Sequence, residues 1–340
     1  MSHVVNTFIQ HSTGVVELNR PKALNSLNQE MIDIVRAALD SWIDDDRVEQ
    51  VLIYSTSDRG FCAGGDVRAV RESVLAGDVA AGDRYFTEEF EMNDALGNYP
   101  KPIISVINGV VMGGGLGISM HGSHRVITEK AFASMPEMAI GYVPDVGFTY
   151  FGQRASSLAI ATFLAVTGWR MSPADMLWAG VATHVIDSEN LEDFTAEILN
   201  GTLAAALEKF ATQPTSSSEL AGLASQIEET FGHSSWELID ASLRSHPDTS
   251  FVSKTRELMF LAAPASVVAT VELMHSNSEA TTLREGLDNE LVMSLYMIRQ
   301  PDFAEGVRAV LVDKDRQASF SPATFEEVDE SRYAALLRRS

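Results

Sequence analysis

Short apolar runs and helix-period stretches alternate along the first half of the chain. Thr7–Ile9 and Gly14–Leu18 place β-branched residues on either side of a turn and predict two short strands. Asn19-Arg20-Pro21 ends that pattern. From Met31, apolar residues recur at Ile34, Val35, Ala38, Leu39 and Trp42, which is helical spacing, with Asn28 placed to cap the helix start. Val51–Ser55 and Ile103–Ile107 read as buried strands, with a turn over Phe61–Asp66 and a helix over Tyr85–Leu96 between them. Asp66 is expected to cap a helix running through Ser73. Gly113-Gly114-Gly115 opens a helix to about Met120. Arg125–Thr128, Ala131–Ala133 and His184–Ile186 read as short strands, and Ser156–Thr167 and Pro173–Ala179 as helices.

This alternation predicts an α/β fold. Beyond about Glu189 the strand signal fades, and residues 192–340 read almost wholly as helices, with polar breaks at Gln213–Ser218 and Ser245–Ser250. The expected organisation is therefore a strand-bearing core over residues 1–190 and a helical C-terminal region over 191–340. No apolar run approaches the roughly 18 residues that suggest a membrane span. Lys101–Met120 comes nearest, and Pro102, Asn108 and five glycines interrupt it.

Charge narrows the partners. With 47 acidic and 25 basic residues the net charge is −22, which disfavours nucleic acid and anionic membranes. The single cysteine, Cys62, rules out an internal disulfide. Met1-Ser2-His3-Val4-Val5 shows neither a basic nor a hydrophobic targeting segment, so a cytoplasmic location is expected. Cys62 has no histidine near it in sequence and reads as a packed thiol. His121 and His124 lack a third ligand, and no metal, dinucleotide or Gly-x-Ser-x-Gly signature is present. No metal and no separate cofactor are expected.

Four patches carry more specific information: Leu18–Leu27, Gly60–Asp66, Asn108–Gly115, and Met135-Pro136-Glu137 through Pro144-Asp145-Val146-Gly147. In this order and spacing they resemble the crotonase (enoyl-CoA hydratase/isomerase) superfamily. That resemblance implies a crotonase-type spiral of short strands and helices, an acyl-CoA substrate whose coenzyme A is part of the substrate, and room for a homo-oligomer without fixing its state. Three further features resemble the 3-hydroxyisobutyryl-CoA hydrolase branch. They are Glu88-Glu89-Phe90 with Asn93, Pro136-Glu137 with Pro144-Asp145, and the C-terminal string Asp302–Asp315.

Thioester cleavage develops negative charge on the carbonyl oxygen, which needs two preorganised donors. Glycine turns ahead of helices supply backbone N–H groups at close approach. By resemblance the donors are the amides of Gly65 and Gly114; on the residues alone, both segments also read as ordinary tight turns. Glu137, among Met135, Met138 and Ala139, is the implied base on water, or the nucleophile that forms an acyl anhydride. Asp145 is the implied second acid, with a helix N-cap as its ordinary alternative. Glu89 is the implied substrate contact, although Glu88 and Asp94 also allow a solvated helix face. Lys22, Ala23, Asp66, Val67 and Arg68 are implied around the CoA moiety, with Arg20 and Arg71 as further basic candidates against the anionic ligand.

The hydratases of this superfamily carry a second glutamate just after the Gly-rich turn, where this chain has Gly117. Hydrolysis of 3-hydroxyisobutyryl-CoA, a step of valine breakdown, is therefore the expected reaction. Hydration or isomerisation of another acyl-CoA, and non-catalytic CoA binding, are the alternatives.

Overall fold

The computed structural model describes residues 3–337; Met1 and Ser2 of the expected leader-free terminus, and the last three residues of the expected helical region, lie outside them. The strands are β1 (Val5–Gln10), β2 (Thr13–Leu18), β3 (Gln50–Ser55), β4 (Gly60–Cys62), β5 (Ile103–Ile107), β6 (Val110–Met112), β7 (His124–Thr128), β8 (Phe132–Ser134), β9 (His184–Ile186) and β10 (Ala211–Thr212). Seven of them form one sheet in the order β1-β2-β3-β5-β7-β9-β10, and β4-β6-β8 form a second. The pairs β1/β2 and β9/β10 are antiparallel, whereas β2, β3, β5, β7 and β9 run parallel. The α/β expectation is met.

The chain divides into two compact units that interleave along the sequence. The first comprises Met1–Gly65, Glu91–Ala133 and Arg170–Glu219, and so contains the large sheet. Residue 190, the expected boundary between strands and helices, lies inside it, and β10 follows that position. Parallel strands buried on both faces read as continuous apolar runs, and Ile103–Ile107 is buried at every position. One side packs Leu52, Ile104, Val106, Val126 and Ile186 against Phe194, Ile198, Leu203 and Ala206 of the next two helices. The Gln29–Trp42 helix begins as expected, because the Asn28 side chain accepts a hydrogen bond from the Met31 amide at 3.1 Å. Trp42 lies over Gly14, where a Cβ would come within 2.6 Å of its ring.

The second unit comprises Asp66–Phe90, Ser134–Trp169 and Leu220–Ser340 and is helical. The Leu158–Thr167 helix is apolar all round and buried almost throughout, as a central helix must be. Phe163 on it packs edge-on against Phe231 and lies parallel to Phe251. Among the described residues no helix is long and apolar enough to cross a membrane.

Candidate active site

In the helical unit three expected acids come together. Pro136 leads into a 3-10 turn over Glu137–Ile140, closed by Gly141 in the left-handed region. This turn buries the Glu137 side chain and leaves Oε2 without a hydrogen-bond partner among the described residues. Glu89 sits on the Val79–Gly97 helix and is 2% exposed, with Oε1 likewise unpartnered. The solvated face of that helix carries Glu88 instead, which pairs with Arg84 at 2.9 Å. Asn93, one turn beyond Glu89, is fully buried with both amide atoms unpartnered. Asp145 is buried and accepts a hydrogen bond from the Tyr142 hydroxyl at 3.0 Å. It does not cap the following helix, Phe148–Ala155, because that position belongs to Gly147.

Burial dominates the electrostatics here. Removing a carboxylate from water favours its neutral form, and a second negative charge nearby adds to that effect. Desolvation and the Asp145 charge together raise Glu137 well above the usual carboxylate range. The same two causes raise Glu89, and a hydrogen bond from Tyr85 opposes them. Asp145 is pushed up to about 7 by burial, against its hydrogen bond from Tyr142. The cluster therefore holds fewer charges at neutral pH than it has carboxyl groups, and its protons belong to the group of acids jointly.

Two residues of this site carry no obvious signal in the sequence. Tyr142 lies between the Glu137 and Asp145 motifs and is 2% exposed, stacked on Phe86 at 5.3 Å and tilted against Phe303 at 5.8 Å. Its position between two singled-out acids was the available clue. Glu290, on the Leu283–Met297 helix, is fully buried and accepts from the Gly147 amide at 2.5 Å and the Thr149 amide at 3.0 Å. Nothing local marks it, since Asp288 and Asn289 before it suggest a solvated face.

The C-terminal string turns out to brace the Glu137 turn. A Cβ on Gly141 would lie 2.2 Å from the Asp302 carbonyl oxygen, and one on Gly306 would lie 2.4 Å from the Ile140 carbonyl carbon. The two glycines let the Pro301–Val307 helix and the 3-10 turn meet backbone to backbone. Arg71 donates from Nε to the Ala304 carbonyl at 2.7 Å, so this expected CoA contact also serves the bracing helix. Beyond it, Arg308 gathers Glu305, Asp313 and Asp315 at 2.7–2.9 Å.

The glycine turns belong to the sheet-bearing unit. β4 and β6 are parallel neighbours, with Gly60 opposite Val110 and Cys62 opposite Val111, and each turn follows the C-terminal end of its strand. Gly64 (φ 119°) and Gly113 (φ 43°) take backbone conformations that side chains disfavour. Gly115 approaches so closely that a Cβ would lie 2.3 Å from the Cys62 carbonyl oxygen. Gly114 is the first residue of its helix, so its N–H has no acceptor within that helix. Gly65 is half-buried and bridges Leu27 in parallel, through the Leu27 amide and the Gly64 carbonyl at 2.8 Å. That bridge sets the Pro21–Leu27 loop, with exposed Lys22 and half-buried Ala23, beside the Gly65 turn. Asn25 secures it, donating to Ser55 Oγ at 2.7 Å and the Phe61 carbonyl at 2.9 Å. Arg20 donates to the Ser26 carbonyl at 2.8 Å. Asp66 occupies the N-cap of the Val67–Leu75 helix without a side-chain capping bond, and Arg68 in its first turn is exposed. Cys62 is fully buried, its Sγ 3.0 Å from the Asn25 carbonyl oxygen, as befits a packed thiol.

The sequence profile of the enoyl-CoA hydratase/isomerase family matches residues 13–337. A protein of Xenopus tropicalis named 3-hydroxyisobutyryl-CoA hydrolase, mitochondrial, is 37% identical over 325 residues, covering 93% of this chain and 83% of its own length. The Homo sapiens protein of the same name is 37% identical over 329 residues, covering 94% and 84%. A crystal structure of a carnitinyl-CoA dehydratase from Mycobacterium thermoresistibile superposes with a TM-score of 0.92 at 34% identity, covering 100% of this chain and 97% of that one. The expected cytoplasmic location is overturned, because these relatives are named mitochondrial. A single packed thiol excludes an internal disulfide, but it carries no address.

Proposed function

This chain belongs to the enoyl-CoA hydratase/isomerase family, and on that premise we propose that it is a thioester hydrolase converting 3-hydroxyisobutyryl-CoA and water to 3-hydroxyisobutyrate and free coenzyme A, a step of valine breakdown. The observation that carries this reading is Glu137: buried, with one carboxyl oxygen unpartnered, and coupled electrostatically to Asp145. A carboxylate in an apolar turn is a strong base once ionised, and its empty oxygen has hydrogen-bonding capacity to offer a water or a thioester.

In this reading the amides of Gly65 and Gly114 stabilise the developing oxyanion. Glu137 takes a proton from water as the water oxygen bonds to the carbonyl carbon. The C–S bond then breaks, and the proton passes to sulfur. Alternatively, Glu137 bonds to the carbonyl carbon itself, and water cleaves the resulting anhydride. Both routes require an ionised and unobstructed Glu137. Asp145, oriented by Tyr142, and Glu89 position the acyl hydroxyl, and Lys22, Ala23 and the Asp66–Arg68 segment accompany the CoA moiety. No separate cofactor is needed.

The dehydratase name of the structural relative favours one competing reading, addition or removal of water at a double bond. Against it stands Gly117, which is buried in the Gly114–Met120 helix and offers no side chain to activate water. The test of Glu137 is Glu137→Gln. The variant should fold and bind CoA, yet lose thiol release by about 10²-fold or more, the ordinary worth of a general base. Turnover at the wild-type rate would reject this role.

A further inference from the structure

Val146 is a β-branched residue at φ 55°, fully buried immediately after Asp145. The left-handed region is a genuine outlier for such a side chain, and it persists only where the surroundings impose it. The neighbouring residue shows what imposes it. The Gly147 amide donates to Glu290 Oε2 at 2.5 Å, while Glu290 Oε1 accepts from the Thr149 amide at 3.0 Å and the Thr149 hydroxyl at 2.5 Å. One carboxyl group thus takes three donors from the residues that immediately follow the strained position.

Glu290 is itself held firmly. Thr149 Oγ1 accepts from Asn277 Nδ2 at 2.6 Å, and the same amide reaches the Gly286 carbonyl at 3.1 Å. Asn289 in turn donates to Asn277 Oδ1 at 2.8 Å. Asn277 and Thr149 are fully buried, as Glu290 is, so this is a dry polar network whose members have little freedom to exchange partners. A Ser or Asp at the cap would provide a side-chain acceptor for this helix start from within the same segment. Placing that acceptor on a different helix, 143 residues along the chain from Gly147, does more. It fixes where the Phe148–Ala155 helix begins relative to the Leu283–Met297 helix, and therefore where the residue before Val146 points.

We propose that Glu290 is a positioning residue for Asp145: its carboxyl group clamps the Gly147 amide, keeps Val146 left-handed, and so holds the Asp145 carboxyl against Tyr142 in the orientation that the reaction uses. The catalytic part of this statement rests on the hydrolase reading above, whereas the clamp itself is a matter of geometry. Without the clamp Val146 relaxes to negative φ, and the peptide that carries Asp145 rotates with it. A glycine at position 146 has no such preference, so the left-handed conformation costs it no strain when the clamp is gone.

The test is therefore a double-variant cycle in the full-length chain, with Glu290→Gln, Val146→Gly and the two combined. The side-chain amide of E290Q presents a donor to one of the backbone donors, so the clamp is lost. Thiol release from 3-hydroxyisobutyryl-CoA should show E290Q lowering kcat by about tenfold or more, within the range that small displacements of reacting groups produce, with KM changed less than about threefold. The double variant should recover to within about threefold of V146G alone. A purely structural role for Glu290 would not be rescued at position 146. Losses that simply multiply, an E290Q enzyme with wild-type kcat, or a double variant that fails to fold where V146G folds would each overturn the proposal. If wild-type protein releases no thiol, the hydrolase reading has failed, and melting temperature then judges the clamp. The E290Q loss must still shrink when residue 146 is glycine, and an undiminished loss would overturn it.

Discussion

Gly306→Ala adds one methyl group where the C-terminal string meets the Glu137 turn. The new Cβ would lie 2.4 Å from the Ile140 carbonyl carbon, 2.6 Å from its Cα and 2.7 Å from its oxygen. All three are backbone atoms, so no rotamer change relieves the clash, and either the Pro301–Val307 helix or the Glu137–Ile140 turn must move. Overpacking of this kind costs about 1–3 kcal/mol, while alanine returns up to ~1 kcal/mol of helix propensity. A net loss on the order of 1–2 kcal/mol follows. Because the displaced element carries Glu137 three residues before Ile140, kcat for thiol release should fall about tenfold even at temperatures where the variant is fully folded. Urea unfolding and steady-state thiol release measure the two effects separately. Gly222→Ala is the control: nothing lies within 4 Å of its added methyl group, and because Gly222 is also helical it should leave kcat unchanged and gain at most the same ~1 kcal/mol of helix propensity. A G306A protein with wild-type stability and wild-type kcat would refute the claim that this helix braces the Glu137 turn.

The buried acids make stability depend on pH with an unusual sign. Asp145 keeps its proton in the folded protein up to about 7, whereas the unfolded chain releases it near 3.8. Between these limits the folded state binds more protons, so stability is present at low pH and declines as pH rises. The melting temperature should therefore fall between about pH 5 and pH 7.5, and a rise over that range would contradict the assignment. Thiol release should move the opposite way, increasing as the cluster gives up a proton and frees Glu137 as a base. A kcat that declines from about pH 6 to pH 8 would count against it. Asn25→Ala removes the acceptor of the Arg20 amide at 2.7 Å and the two donated bonds to Ser55 and Phe61. It should cost on the order of 3 kcal/mol by urea unfolding and raise KM for the acyl-CoA through the Lys22–Ala23 loop, and an unchanged midpoint would exclude that role.

Much of this was legible in the sequence wherever the signal is local. Asn28 caps its helix because a short polar side chain before an apolar helical stripe has one favourable use. The strand runs and glycine turns follow from side-chain period and from backbone conformations that only glycine takes easily. Signals failed where the partner is distant. Asp66 precedes a helix as expected, yet its side chain makes no cap bond. Arg71 reads in sequence as a basic candidate against the anionic ligand, and nothing local shows that its Nε also reaches the Ala304 carbonyl, 233 residues away. Glu290 is indistinguishable in sequence from a surface glutamate, because its burial comes from helices brought together only in the fold. The Asp302–Asp315 string was recognised by resemblance, but its reason was hidden. Gly306 is there for Ile140, and no local pattern connects those two positions.

The most direct test of the account is free-thiol release from 3-hydroxyisobutyryl-CoA by the purified wild-type chain, with crotonyl-CoA run in parallel and its enoyl absorbance followed. Thiol should be released rapidly from the hydroxyacyl thioester while the enoyl signal stays unchanged. Loss of the enoyl absorbance with no thiol released would contradict this and make the protein a hydratase despite the glycine at position 117.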